Sequence, residues 1–245
     1  MTVSNPPLVA IGVFVAYTAL VALLWKLNKV DYDALAESRS TVVRGIVVPI
    51  GLGALLLAVA TTVLGWWSPV LSQGGRTGPA WVLVVAVMMG LVGLLGSSNI
   101  DYRSPKATVL PWLALGVLIV GFAEELLCRG LLIVGGREGG WSELVVVVVS
   151  CLLFGLLHGI NAFFGQSLQT TATQIVMATV MGAAFYAVRM STGMLVVCML
   201  LHALWDFATL GQTATDRQQK PVPGLIALAT FAVGLVGAGV IIASV

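Results

Sequence analysis

The segment Gly121-Phe-Ala-Glu-Glu-Leu-Leu-Cys-Arg-Gly130 places two carboxylates and a guanidinium inside a long apolar run, from Thr108 to Val134. A charged side chain at the centre of a membrane-spanning helix costs about 2.5–3.5 kcal/mol on insertion scales. Three such charges would cost on the order of 8–10 kcal/mol, which is comparable to the stability of an ordinary domain. Partners from elsewhere in the fold must therefore compensate them.

The composition indicates the class of protein. Of the 245 residues, 59% are hydrophobic and 9% are charged, whereas soluble domains carry about 25% charged residues. The chain is therefore predicted to be an integral membrane protein. The formal net charge of +2 is too small to indicate a nucleic-acid partner. Three cysteines lie in apolar segments without metal-type or disulfide spacing, which favours small core residues: Cys128, Cys151 and Cys198.

Eight apolar segments are long enough to cross a bilayer, which takes about 20 residues. They are predicted at 7–25, 45–67, 81–97, 108–133, 143–163, 173–189, 193–210 and 223–244. The connections are short, and the connection 26–44 is predicted to form a short surface helix. The fold class is therefore all-α, a polytopic membrane helical bundle with about eight transmembrane helices. The whole chain, 1–245, is predicted to be a single integral membrane domain.

The basic residues of the connections predict the orientation. With the N-terminus outside, the inward connections hold Lys26, Lys29, Arg39, Arg44, Arg103, Lys106, Arg217 and Lys220. The outward connections then hold only Arg76, Arg137 and Arg189. Cytoplasmic loops carry an excess of Lys and Arg, so both termini are predicted to lie outside.

Ionisable side chains well inside a predicted span occur in only three of the eight spans. They are Glu124, Glu125 and Arg129 in the fourth, His158 in the fifth, and His202 and Asp206 in the seventh. Polar groups inside membranes usually face the bundle interior and pair with one another. The fourth and fifth spans form a hairpin, and at about 1.5 Å per residue the depths of Glu124 and His158 differ by on the order of 10 Å. All six groups are predicted to meet near the middle of the membrane.

Helical spacing divides these groups. Glu125 and Arg129 stand at i,i+4, so they are predicted to neutralise each other along one face. Glu124 is rotated by about 100° from Glu125, which leaves it free to face a cavity. His202 and Asp206 share a face in the same way, and Asp206 either orients His202 or only caps it. Since each feature has a structural explanation by itself, the function prediction depends on their combination.

Three motifs resemble the signature of the CAAX prenyl protease and bacteriocin-processing (CPBP, or Abi) family of intramembrane proteases. The signature reads Glu-Glu-x-x-x-Arg, Phe-x-x-x-His and His-x-x-x-Asn/Asp on three helices in this order. The corresponding segments here are Glu124-Glu125-Leu-Leu-Cys-Arg129, Phe154-Gly-Leu-Leu-His158 and His202-Ala-Leu-Trp-Asp206. The order and the eight predicted spans fit the family, and the core that carries the motifs covers about 108–210.

Two positions depart from the family pattern. Cys128 stands where Phe is frequent, which we interpret as a packing variation. Asp206 stands where the eukaryotic prenyl proteases carry Asn, although bacterial members vary. An ionised Asp206 would repel a developing oxyanion unless it were protonated or turned toward His202.

The resemblance implies an intramembrane endopeptidase. Glu124 as general base and His158 would hold and activate a water molecule, and His202 would stabilise the tetrahedral oxyanion with help from Asp206. Three further residues would support them: Glu125, Arg129 and Phe154. Phe154 precedes His158 by four residues, so its ring is predicted to pack against the imidazole. Because water must reach the site, a polar intramembrane cavity that opens to one aqueous face is predicted.

The cofactor prediction leaves two alternatives. Glu124, His158 and His202 form a two-histidine, one-carboxylate set that is compatible with zinc and a bound water. The sequence contains no His-Glu-x-x-His motif and so does not require a metal. A metal-free, glutamate-type mechanism is favoured.

The predicted partners are the lipid bilayer and a peptide or membrane-protein substrate. A lipid-modified substrate is implied by the eukaryotic members of the family. The composition, rich in Ala, Val and Gly, favours a multi-pass protein of a bacterial cell membrane, where bacteriocin maturation, immunity or cleavage of a regulator are alternatives. Two other functions stay open: a non-catalytic immunity or binding protein on the same scaffold, and a proton-coupled transporter.

Overall fold

The computed structural model describes residues 4–72, 78–217 and 221–244. Within these residues the chain forms long helices, and the only β-type pairing is one bridge between Ser72 and Met194. We number the long helical runs α1 to α8: Pro6–Asn28, Arg39–Leu64, Ala80–Ser97, 110–138, Glu143–Phe164, Leu168–Thr192, Leu195–Ala214 and Pro221–Ser244. The predicted all-α bundle is confirmed. Arg76 and Lys220, which entered the orientation count, lie outside the described residues.

Seven helices in the described ranges are long and apolar enough to cross a membrane, and they correspond to every predicted span except the fourth. The fourth span is α4, a continuous run made of Leu110–Glu125, a wider π-helical turn at Leu126–Leu131, and Leu132–Glu138. The π-helical turn directly follows the two glutamates, and such turns are frequent at functional sites. The chain is an integral, multi-pass membrane protein.

The prediction of a short surface helix in the connection 26–44 is wrong, because this stretch belongs largely to the two flanking helices. Helix α1 continues to Asn28, and α2 already begins at Arg39. A capping box fixes this start, because the side chains of Ser38 and Thr41 each accept a hydrogen bond from the other residue's backbone N–H, at 3.2 and 3.0 Å. The basic residues of this region therefore belong mostly to the ends of two spanning helices.

A close contact between α4 and α7 positions the site. A Cβ atom on Gly121 would lie 2.4 Å from the carbonyl oxygen of Met199 and 3.1 Å from the amide nitrogen of Ala203. Only glycine permits the two backbones to approach this closely. Because Gly121 stands one turn before the glutamates of α4, this contact brings them against the turn of α7 that carries His202.

Candidate active site

A cavity of about 820 Å³ lies among α1, α2 and α4 to α8. The four predicted catalytic residues and Phe154 all line it: Glu124, Phe154, His158, His202 and Asp206. Most of the other lining residues are apolar side chains. The predicted intramembrane cavity is present, and polar groups form only part of its wall.

The cavity occupies one half of the bundle. Its lining comes from the middle and C-terminal parts of α1, α5 and α7, and from the N-terminal and middle parts of α2, α6 and α8. These parts lie toward the connections that follow α1, α5 and α7. The orientation that the basic residues predict would put this half on the cytoplasmic side, and it stays a prediction.

Glu125 joins α4 to α7. Its Oε1 accepts hydrogen bonds from Nη1 of Arg129 at 3.1 Å and from Nδ1 of His202 at 2.8 Å. The side chains of Glu125 and Arg129 are both fully buried. The predicted i,i+4 pair is confirmed, whereas the bond to His202 was not expected, because Asp206 was the residue considered for orienting that ring. Glu125 therefore fixes the orientation of His202.

The second nitrogen of His202 faces two other carboxylates. Its Nε2 lies 3.6 Å from Oδ2 of Asp206 and 3.9 Å from Oε2 of Glu124. This oxygen of Glu124 is buried and has no hydrogen-bond partner among the described residues. As its rotation on the helix predicted, Glu124 is the carboxylate of α4 that lines the cavity.

Phe154 organises both histidines. Nδ1 of His158 donates to the carbonyl oxygen of Phe154 at 3.0 Å, which leaves Nε2 as an acceptor. The Phe154 ring makes edge contacts with the imidazoles of His158 and His202, at centroid distances of 5.4 and 5.7 Å. The predicted contact with His158 is confirmed. The Arg129 guanidinium lies 4.0 Å above the same ring, a favourable cation–π position.

The residues considered for zinc are not arranged as a metal site. In residues 4–72, 78–217 and 221–244, no three His, Cys, Asp or Glu side chains are grouped to hold an ion. His202 directs Nδ1 at Glu125, and its Nε2 is 3.9 Å from the nearest oxygen of Glu124. Glu124, His158 and His202 do not fit a common ion in this arrangement, so no step below passes through a metal.

Uncharged polar residues of the cavity wall were missed because only ionisable groups inside the predicted spans were considered. Nδ2 of Asn161 donates to Gln174, and Nε2 of Gln174 donates to the Tyr32 hydroxyl, both at 3.0 Å. Tyr32 lies in the connection after α1, and burial of its hydroxyl is the main cause that raises its pKa to about 12. Tyr17 of α1 also lines the cavity. Since Tyr17, Asn161 and Gln174 lie inside predicted spans, a search for every polar residue there would have found them.

Comparison with protein-family models gives a match to the segment that carries the three motifs. Residues 106–208 match the model of the family described as Type II CAAX prenyl endopeptidase Rce1-like. This segment runs from the start of α4 to just beyond Asp206 and contains all three motifs. The match confirms the resemblance and supports a CAAX-type intramembrane protease at the level of the family. Neither a curated protein nor a solved structure matches the chain.

Proposed function

We propose that this protein is an intramembrane endopeptidase that hydrolyses a peptide bond with a water molecule activated by Glu124 and His158. The observation that carries the proposal is the buried Oε2 of Glu124, which lacks a hydrogen-bond partner among the described residues although the side chain lines the cavity. A buried carboxylate oxygen without a donor is unfavourable. Water or a substrate group is the expected partner.

Glu124 acts as the general base. It takes a proton from the water while the water oxygen bonds to the carbonyl carbon of the scissile peptide, and the carbonyl electron pair moves onto its oxygen. Nε2 of His158 accepts a hydrogen bond from the same water and orients it. Glu124 then returns the proton to the peptide nitrogen as the C–N bond breaks. The products are a carboxylic acid and an amine.

His202 stabilises the oxyanion. In this proposal its Nδ1–H donates to Glu125, while a proton on Nε2 donates to the oxyanion. The 2.8 Å bond to Glu125 and the edge contact with Phe154 hold the ring in place before substrate binds. Arg129 neutralises Glu125 from the other side. Glu125, Arg129 and Phe154 are therefore positioning residues.

The proposed substrate is a peptide that carries a lipid group. The mostly apolar cavity wall supports this choice, since an apolar chain would bury there with a favourable free energy. The proposed location is a bacterial cell membrane, which rests on the composition alone. An unmodified peptide of a membrane protein or bacteriocin is the alternative substrate.

The test is cleavage by purified protein in liposomes. The probes are peptide libraries with and without a farnesylated cysteine four residues from the C-terminus, and mass spectrometry identifies the products. We expect the wild type and Glu138→Gln, a change at an exposed position of α4, to give the same products. We expect Glu124→Gln to form them about 10²–10⁴-fold more slowly.

Three outcomes would contradict this proposal in different ways. Cleavage by a folded Glu124→Gln protein at the wild-type rate would overturn the assignment of the base. Peptide binding without cleavage by the wild type would indicate a binding or immunity protein. Activity that appears only under an ion gradient would indicate a transporter.

A further inference from the structure

We propose that Tyr17 is a further catalytic residue, whose hydroxyl donates a hydrogen bond to the carbonyl oxygen of the scissile peptide and to the oxyanion that forms from it. This inference rests on the proposed function. Tyr17 lies on α1, outside the segment 106–208 that matches the family. The three motifs therefore contain no counterpart of it.

The first observation is an unpartnered hydroxyl at the cavity. Tyr17 is only 1% exposed, and it lines the same cavity as Glu124, His158 and His202. Its hydroxyl is buried and has no hydrogen-bond partner in the part of the chain that the structure describes. Buried tyrosine hydroxyls usually find a partner. The partner expected here is a molecule that occupies the cavity.

The second observation is that α2 makes room for this ring. A Cβ atom on Gly53 would lie 2.5 Å from Cε2 of Tyr17. Such a distance is not tolerated, so a side chain at position 53 would displace the aromatic ring. Two residues earlier on the same helix, a Cβ atom on Gly51 would have no neighbour within 4 Å. The position of Tyr17 therefore depends on one particular glycine.

The third argument is the chemistry that the site needs. A developing oxyanion is stabilised by hydrogen-bond donors placed where the charge appears. Asp206 has its carboxylate 3.6 Å from Nε2 of His202, and an ionised carboxylate cannot donate. Asn161 and Gln174 already use their amide groups in the chain of bonds that ends at Tyr32. The hydroxyl of Tyr17 lines the same cavity, is buried and has no partner among the described residues, so it is available to assist His202.

The test compares two Tyr→Phe variants in the liposome assay. Tyr17→Phe is expected to lower kcat by about 10²-fold, the usual effect of removing one oxyanion donor, with little change in KM. The control is Tyr186→Phe, because Tyr186 is also 1% exposed but donates its hydrogen bond to Glu143, away from the cavity. This variant is expected to keep the wild-type kcat.

Thermal unfolding separates catalysis from structure. Because the Tyr17 hydroxyl has no partner among the described residues, its removal is expected to leave the melting temperature unchanged or higher. In addition, Gly53→Ala is expected to lower kcat by about tenfold or more by moving the ring, and Gly51→Ala to leave it unchanged.

The outcomes distinguish this inference from the proposed function. If the wild type cleaves, Glu124→Gln cleaves about 10²–10⁴-fold more slowly, and Tyr17→Phe retains the wild-type kcat, only the role of Tyr17 is overturned. A fall in kcat that merely follows a loss of folded Tyr17→Phe protein also overturns it. If the wild type cleaves none of the peptides, both proposals fail.

Discussion

Two charge clusters in this protein, one partly buried and one fully buried at its Glu125–Arg129 pair, use the same residue types in different ways. Away from the cavity, both oxygens of Glu143 accept hydrogen bonds from Arg137, and Oε1 also accepts from the Tyr186 hydroxyl at 2.7 Å. We call this the closed cluster. At the cavity, Glu125 is bound by Arg129 and His202, yet Oε2 of Glu124 has no hydrogen bond from any described residue.

The difference shows what a buried charge can do. Because the carboxylate of the closed cluster is occupied by protein donors, that cluster can hold helices together but offers no atom to a reactant. In the cavity cluster, Oε1 of Glu125 accepts hydrogen bonds from two protein donors, whereas Glu124 lines the cavity and its Oε2 accepts none from the described residues. A carboxylate at a membrane-spanning site thus indicates chemistry when it is unpaired and borders a cavity, and stability when its partners are protein groups.

The largest expected effect comes from Glu125→Ala, which would turn the engaged part of the cavity cluster into an unpaired charge. Arg129 is fully buried, so the loss of its partner is expected to cost about 3–5 kcal/mol of stability. His202 would also lose its orientation, with a fall in kcat of about 10²-fold or more. Denaturant unfolding and the liposome assay measure the two effects.

The matched control for this change is Glu138→Ala, at the exposed end of the same helix. This control variant is expected to change neither the stability nor kcat. Equal stabilities of the two variants would mean that the bonds of Glu125 do not support the fold.

The second prediction concerns the closed cluster. Tyr186→Phe removes a hydrogen bond to an ionised carboxylate and is expected to cost about 1.5–3 kcal/mol of stability. Cleavage should be unaffected, because neither Tyr186 nor Glu143 lines the cavity. A variant that unfolds like the wild type but cleaves more slowly would reverse the roles given to the two clusters.

The smallest expected effect is that of Asp206→Asn. Neutralising the carboxylate that holds a catalytic histidine costs about 10⁴-fold in serine proteases, but here Glu125 holds Nδ1, so we expect less than about tenfold for Asp206→Asn. The new amide also supplies a donor. A loss in kcat as large as that of Glu125→Ala, measured side by side, would show that Asp206 orients His202.

Much of this arrangement could be predicted from the sequence. Apolar length alone located the spanning helices, since α3 was predicted at 81–97 and is Ala80–Ser97. The i,i+4 rule gave the pair of Glu125 and Arg129, and counting along the hairpin placed Glu124 and His158 at one cavity. These successes depend on spacing within one helix or across one short turn.

The contacts that were missed join helices distant in sequence. The bond from His202 to Glu125 depends on the close approach that Gly121 permits between α4 and α7. Tyr17 reaches the cavity because Gly53 leaves space for its ring. Periodicity reports which face of a helix is apolar but not which other helix covers it. The helix start at Arg39 was missed because it depends on a local cap rather than on apolar length.

The most direct test of the whole account is a paired measurement on Glu124→Gln and Glu143→Gln, in which cleavage and thermal unfolding are recorded for the same preparations. We predict that Glu124→Gln loses about 10²–10⁴-fold in kcat, the contribution of a general base, and unfolds at the wild-type temperature or above. Glu143→Gln is predicted to cleave normally and to unfold at a lower temperature. Normal cleavage by Glu124→Gln, or loss of cleavage by a fully folded Glu143→Gln protein, would contradict the account.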